Sequence, residues 1–328
     1  MPSSEFKTVN LVWGAAVIAM PYWAEGTHIH DAFHLLKEYG AGIDTAQVYQ
    51  GSEARLGEVK AATQYGLSID TKWSVGFKFG EGPGTSRAGM LAAAKESLAR
   101  LAMQQVDIFY IHAYDHTVPL EDMVAGVNDA YEAGLFRRFG LSNFPADVVR
   151  RVHDICKANG YVLPTVFQGN YSAVARRQED ELFPVLRELG IAFYAYSPIA
   201  GGFLTKTRAK IEAGGTRFDA DQIMGIYHKL YNRDSFLDIL DEWHVIAQRE
   251  GVSPAELAYR WIAFNSALDP KHGDGVVFGA QSVEQLEGTL KFLTGGPLSP
   301  EAVRDIDGIW QKVKHDAWLD NLEAFHAR

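Results

Sequence analysis

Eight short apolar runs recur along the chain, with segments of helical periodicity between them. The runs are TVNLVWG (8–14), AGIDTA (41–46), LSIDTK (67–72), DIFYIH (107–112), FRRFGLSN (136–143), PTVFQGNY (164–171), IAFYAYSP (191–198) and GVVFGA (275–280). Continuous apolar runs suit parallel strands buried on both faces. MLAAAKESLARL (90–101), PLEDMVAGVNDAYEAG (119–134), QEDELFPVLRELG (178–190) and SPAELAYRWIAFN (253–265) place apolar residues at helical spacing. Ser253-Pro254 with Glu256 close behind marks a helix start, and Gly134 and Gly190 follow last apolar turns. Alternating strands and helices predict an α/β fold with a parallel sheet. Eight strands are the number that closes a (β/α)₈ TIM barrel. A single barrel domain is expected over 1–328, with long catalytic-face loops and a C-terminal helical extension. The alternative, an open doubly wound sheet, would focus its chemistry on one crevice.

The chemistry is instead spread over the ends of strands two, three and four, at Asp44, Tyr49, Lys72 and His112. A barrel collects side chains in this way, from the C-terminal ends of neighbouring strands. The set has a specific use. A lysine beside a tyrosine lowers the phenol pKa, and a carboxylate keeps the lysine charged and oriented. The product is a proton donor for a carbonyl oxygen that is gaining charge. None of these groups supplies a hydride, so a cofactor is needed. A metal-dependent hydrolase is the competing reading, from His112, Asp115 and His116, or His28 and His30. Against it, the strand ends offer Tyr and Lys where a metal would want His and Asp. Asp115 and His116 then read as loop residues, and no metal is expected.

Composition narrows the partners. A formal charge of −10 would repel phosphate backbones, so no nucleic acid is expected. The lone cysteine, Cys156, excludes an internal disulfide and reads as packing in a reducing compartment. The polar start MPSSEFKTVN has no signal-peptide core, and no apolar stretch reaches the roughly 20 residues of a bilayer span. A cytoplasmic protein away from membranes is expected.

The longest departure from regular alternation is 198–235, read as a long loop. It opens on Ser197-Pro198-Ile199-Ala200-Gly201-Gly202-Phe203-Leu204-Thr205 and goes on to Lys206, Arg208, Lys210 and Arg217. Adjacent glycines let backbone approach a ligand, and clustered cations in an acidic protein suit an anionic one. A solvated basic loop is the plainer reading. The eighth run leads into Gly279-Ala280-Gln281-Ser282 and a helix start at Val283. Barrels often bind phosphate at the loops after strands seven and eight, with help from a helix N-terminus.

Several stretches together resemble the aldo-keto reductases, almost end to end. They are IDTAQVYQGSEARLG, IDTK, DIFYIHAYD, GLFRRFGLSNF, TVFQGNYSAVARRQEDELFPVLRELGIAFYAYSPIAGGFLT and GAQSVEQLE. The long contiguous run resembles the aflatoxin-aldehyde (succinic semialdehyde) reductase branch. The resemblance implies NADP(H), a small carbonyl substrate and a homodimer. It implies Tyr49 as general acid, Lys72 lowering its pKa, Asp44 pairing Lys72 beside the nicotinamide ribose, and His112 orienting the carbonyl. Ser142, Asn143 and Gln168 would hold the carboxamide, with Tyr196 stacked on the ring. Ser197 through Thr205 would wrap the pyrophosphate; Gly279, Ala280, Arg217, Ser282 and Gln285 would meet the adenosine phosphate end. Arg328 would face a substrate acid group. The chain departs from the branch at Leu204-Thr205-Lys206-Thr207, where Leu-Thr-Gly-Lys is common, and at Gly288-Thr289. Its first loop, VIAMPYWAEGTHI, also differs. Trp13, Trp23 and Trp73 could line an apolar pocket for an aromatic or polyketide-like carbonyl, or pack in the core. A pathway-dedicated reductase and a slow cofactor-binding regulatory subunit are the other readings.

Overall fold

The computed structural model describes residues 8–24, 27–75 and 86–326. Eight strands form a closed, all-parallel barrel in chain order. They are β1 (Asn10–Gly14), β2 (Gly42–Asp44), β3 (Ile69–Trp73), β4 (Val106–Ile111), β5 (Phe136–Ser142), β6 (Pro164–Asn170), β7 (Ala192–Tyr196) and β8 (Gly275–Phe278). Each falls within or one residue beside an apolar run of the sequence. The ring closes between β1 and β8, where Asn10 pairs with Gly275 and Trp13 with Phe278. The Asn10 amide donates to Gly273 O at 2.8 Å across the same seam.

Successive strand residues face opposite ways, so parity decides what lies inside the ring. Val12, Ile108, Tyr110, Val166, Ala192, Tyr194 and Val277 form one small apolar cluster inside the barrel. Residues of the other parity, such as Trp13, Ile43, Trp73, Phe109, Leu141 and Phe193, join the main core between barrel and helices. The inner face is crowded. A Cβ on Gly140 would lie 2.2 Å from the Tyr110 ring, so only glycine leaves room for that tyrosine.

The helices begin and end for local reasons. Ser86 caps Arg87–Leu101 by accepting from Gly89 N, and Ser253 caps Pro254–Arg260 by accepting from Glu256 N. The segment expected as one helix over 178–190 is two, Arg177–Glu181 and Phe183–Leu189. Pro184 lacks the N–H that a continuous helix needs there and sits instead in a first turn. The segment 198–235 is not a long loop. It holds Ala200–Thr205, Arg208–Glu212, Ile223–Gly225, Ile226–Tyr231 and Asp234–Leu237, all short helices. The C-terminal helices Pro300–Val313 and Asn321–His326 complete the chain. Among the described residues no helix is long and apolar enough to cross a membrane.

Candidate active site

Inner-face parity and strand ends bring Asp44, Lys72 and His112 to the C-terminal mouth of the barrel. Asp44 ends β2, Lys72 lies one residue before the end of β3, and His112 follows β4. Tyr49 reaches the same place from the turn after β2, whose backbone is fixed by Gln47 N donating to Lys72 O and Tyr49 N to Ala46 O. Lys72 is wholly buried, and Asp44 nearly so. The Lys72 Nζ donates to both Asp44 carboxylate oxygens at 2.6 Å and to Thr45 O at 2.9 Å. It lies 5.2 Å from the centre of the Tyr49 ring. The Tyr49 and His112 rings meet edge to face, with centroids 5.7 Å apart.

The protonation states follow from burial and charge. Burial alone would lower the Lys72 pKa, but the Asp44 carboxylate and Tyr49 outweigh it, so the amine is held above its ordinary value. Burial, then the Lys72 charge, holds His112 well below the usual histidine range, so its imidazole is neutral. For Tyr49 the balance differs from the sequence expectation. Lys72 does pull the phenol down, but burial is the larger effect and Asp44 adds to it; the net direction is upward. The phenol therefore holds its proton, as a donor should before reaction.

Around this group stand the amides expected from the sequence. Gln168 Nε2 donates to Asp44 Oδ1 at 2.9 Å. Asn143, in the left-handed region at φ 55°, donates to His112 O and to Ser142 Oγ. The Tyr196 hydroxyl donates to Asn143 Oδ1 at 2.9 Å.

A cleft of about 890 Å³ runs from Tyr49 and His112 across the mouth toward the start of the helix Val283–Leu293. Ser197, Pro198, Ile199, Gly201 and Gly202 line it, together with Gly279, Ala280 and Gln285. Ala200, Phe203 and Leu204 do not; they are fully buried in the core beneath that segment. Gly201 and Gly202 both have positive φ. A Cβ at Gly201 would also strike the Tyr227 ring at 2.2 Å. Arg217 holds the rim: its guanidinium lies 5.1 Å over the Tyr227 ring and donates to Gly201 O.

The expected cations divide by position. Lys206, Lys210 and Arg217 line the cleft. Arg208 does not; it pairs with Glu212, Asp234 and Asp238. The helix start is also less open than expected. Val283 N donates to Tyr22 Oη, and Gln285 N to the Ser282 hydroxyl, which thus caps the helix and does not line the cleft. Positive charge for an anion comes here from side chains. Tyr227, Tyr259 and Phe292 complete the walls and were not singled out by sequence reasoning; Tyr259 and Phe292 face the cleft at helical spacing from Ala255 and Thr289.

The tryptophan pocket is not formed. Trp73 stacks on Phe109 at 3.8 Å and donates to Met90 O, on the outer face of β3. Trp23 packs edge-on against Trp13, centroids 5.2 Å apart, and both are buried. Arg328 lies outside the described residues. Among the described residues no group of three or more His, Cys, Asp or Glu is placed to hold a metal. His28 stacks on Tyr22, His30 bonds Tyr65, and Asp115 accepts from Thr117 in its own turn. Burial pushes the Cys156 thiol up to about 12, far from reactivity.

Residues 31–311 match the aldo/keto reductase family. The chain is 37% identical to "Oxidoreductase sirO" of Leptosphaeria maculans, over 96% of this chain and 98% of that protein. It is 34% identical to "Aflatoxin B1 aldehyde reductase member 4" of Homo sapiens, over 84% of this chain and 86% of that one. It is 30% identical to "Aldo-keto reductase pigE" of Monascus ruber, over 93% of this chain and 94% of that one.

Proposed function

The chain belongs to the aldo/keto reductase family, an oxidoreductase family of carbonyl reduction, and on that footing we propose that it is an NADPH-dependent reductase of aldehydes or ketones with Tyr49 as general acid. One observation carries the reading: a half-buried tyrosine and a neutral imidazole meet edge to face beside a lysine locked to a carboxylate, at the inner end of the cleft.

The cleft suits a nicotinamide dinucleotide. Gly201 and Gly202 bring backbone to its surface, and Lys206, Lys210 and Arg217 supply charge for phosphates. Ser142, Asn143 and Gln168 would hold the carboxamide, beside the Tyr196 ring. When bound, the cofactor supplies hydride to the carbonyl carbon. This chain's residues do the rest. His112, neutral, donates a hydrogen bond to the carbonyl oxygen and orients it. Tyr49 gives its proton to that oxygen as negative charge builds there. Lys72 then faces the phenolate left behind, and Asp44 fixes the lysine's position. Because burial and Lys72 hold His112 well below its usual value, the rate should show no inflection near the ordinary histidine pKa of about 6.5.

The substrate pocket has no tryptophan wall, so nothing built on Trp23 or Trp73 favours aromatic carbonyls. Steady-state oxidation of NADPH with small acidic, aliphatic and aromatic aldehydes tests the function. Multiple turnovers support it; cofactor binding without turnover removes the catalytic reading and leaves a binding subunit. Cofactor choice has its own test. Arg217→Ala should weaken NADPH by about 1.5–3 kcal/mol, the worth of a hydrogen bond to a charged group, and NADH much less. Fluorescence titration gives the ratio, and an equal loss for both cofactors would take Arg217 out of the phosphate site.

A further inference from the structure

A second cavity, about 380 Å³, lies at the opposite, N-terminal end of the barrel. Its floor inside the ring is Asp70, and its rim includes the exposed residues Glu38, Gly40 and Ser68. Asp70 is only 5% exposed. It sits on β3 two residues before Lys72, on the same inner face, and its Oδ1 accepts from Ile108 N at 3.1 Å. Two other charges within the barrel are matched among the described residues. Lys72 pairs with Asp44, and Arg138 is held by Asp107 through two hydrogen bonds. Asp70 is the carboxyl left over.

The groups facing it come from every neighbouring strand. Asp44 is on β2, Lys72 on β3, Asp107 and Tyr110 on β4, Arg138 on β5 and Tyr194 on β7. Glu38 and Tyr39 complete the cavity wall. Tyr110 is wedged against Gly140, its ring 5.7 Å from Lys72 Nζ, with its buried hydroxyl making no hydrogen bond among the described residues. The Asp70 backbone carbonyl accepts from Thr45 N, whose own carbonyl accepts from Lys72 Nζ, but no hydrogen bond among the described residues joins the Asp70 carboxyl to Asp44, Tyr49 or Lys72. What reaches Lys72 from Asp70, and Tyr49 through Lys72, is its field, which is screened less inside a protein than in water.

We propose that Asp70 is a positioning residue for the catalytic group: it exchanges its proton with solvent through the cavity at the N-terminal end, and its charge sets how readily Tyr49 gives up a proton at the other. The inference rests on Tyr49 being the acid, as proposed above. Burial, followed by Asp107 and Asp44, raises the Asp70 carboxyl well above its ordinary value. When it ionises, the new negative charge opposes the developing phenolate, and reduction slows.

The test compares kcat across pH for wild type, Asp70→Asn and Asp70→Ser, with NADPH and para-nitrobenzaldehyde. All three should agree at the acid end, where the wild-type carboxyl is protonated. As pH rises the wild type should fall first, with the variants holding activity roughly one pH unit further, the usual scale of pKa perturbation in a folded protein. A constant factor at every pH means a structural role only and overturns the proposal, as do superimposable profiles. Infrared spectra supply a readout that needs no turnover. A protonated-carboxyl band should be present in the wild type at neutral pH, disappear on alkaline titration and be missing in folded Asp70→Asn. Absence of that band in the wild type overturns the proposal even if neither variant folds. Presence of the band in a protein that reduces no aldehyde would overturn the reductase reading and leave the titration of Asp70 standing.

Discussion

Tyr49→Phe should lower kcat for aldehyde reduction by about 10²–10⁴, the usual worth of a positioned general acid. The substitution keeps the ring that meets His112 edge to face, so the pocket wall and its packing stay. Cofactor affinity should therefore hold within a factor of two or so, since the hydroxyl alone is lost. The wild-type phenol is held above its ordinary value by burial, despite Lys72, so proton donation should persist well past neutral pH. Steady-state kinetics with NADPH and a fluorescence titration of the same samples decide it. Near wild-type turnover in the phenylalanine variant would dismiss Tyr49 as the acid.

A second large effect concerns stability as well as rate. Lys72 and Asp44 are buried together, the lysine wholly and the carboxylate nearly so. Removing one partner strands the other, which costs about 3–5 kcal/mol. Lys72→Met and Asp44→Asn should each lose that much in urea unfolding. The double variant should lose less than the sum of the two, because neither charge is left alone. The pH dependence has a definite sign. The folded lysine pKa is raised over the unfolded one, so its contribution is complete below the unfolded value of about 10.4 and is lost as pH rises through the folded value. Additive losses would mean the two charges do not act as a pair.

Much of this was legible in the sequence because strands bury both faces. A run such as DIFYIH has no alternation to blur its edges, and β4 falls on it. That Asp44, Tyr49, Lys72 and His112 gather at one mouth was legible for the same reason, since ionisable groups at the ends of apolar runs are conspicuous. A pocket role for Trp73 is not visible as wrong from composition alone. Strand parity settles the matter: if Lys72 faces into the barrel, Trp73 must face out, onto Phe109. The basic segment is a similar case. In sequence its cations form one cluster, but Arg208 begins a helical turn that carries it to Glu212, while Lys206 and Lys210 stay with the cleft. Pro184 was in plain view as a helix breaker inside 178–190. Other features had no local signal. Tyr22 satisfies Val283 N across 261 positions, and Tyr227 meets Gly201 only because the segment 198–235 folds back on itself in short helices.

The seam between β1 and β8 has a consequence in time. Asn10 cannot find Gly275 until almost the whole chain exists. During synthesis the strands that bear Asp44, Lys72 and His112 emerge early, yet they remain an unclosed sheet with a raw edge on either side. The ring is therefore a late, long-range event, slow by the entropy of joining distant segments and exposed to mispairing until it is done. The residues of the candidate site are among the first on the ribosome, and the closed mouth that gathers them is among the last features the chain acquires.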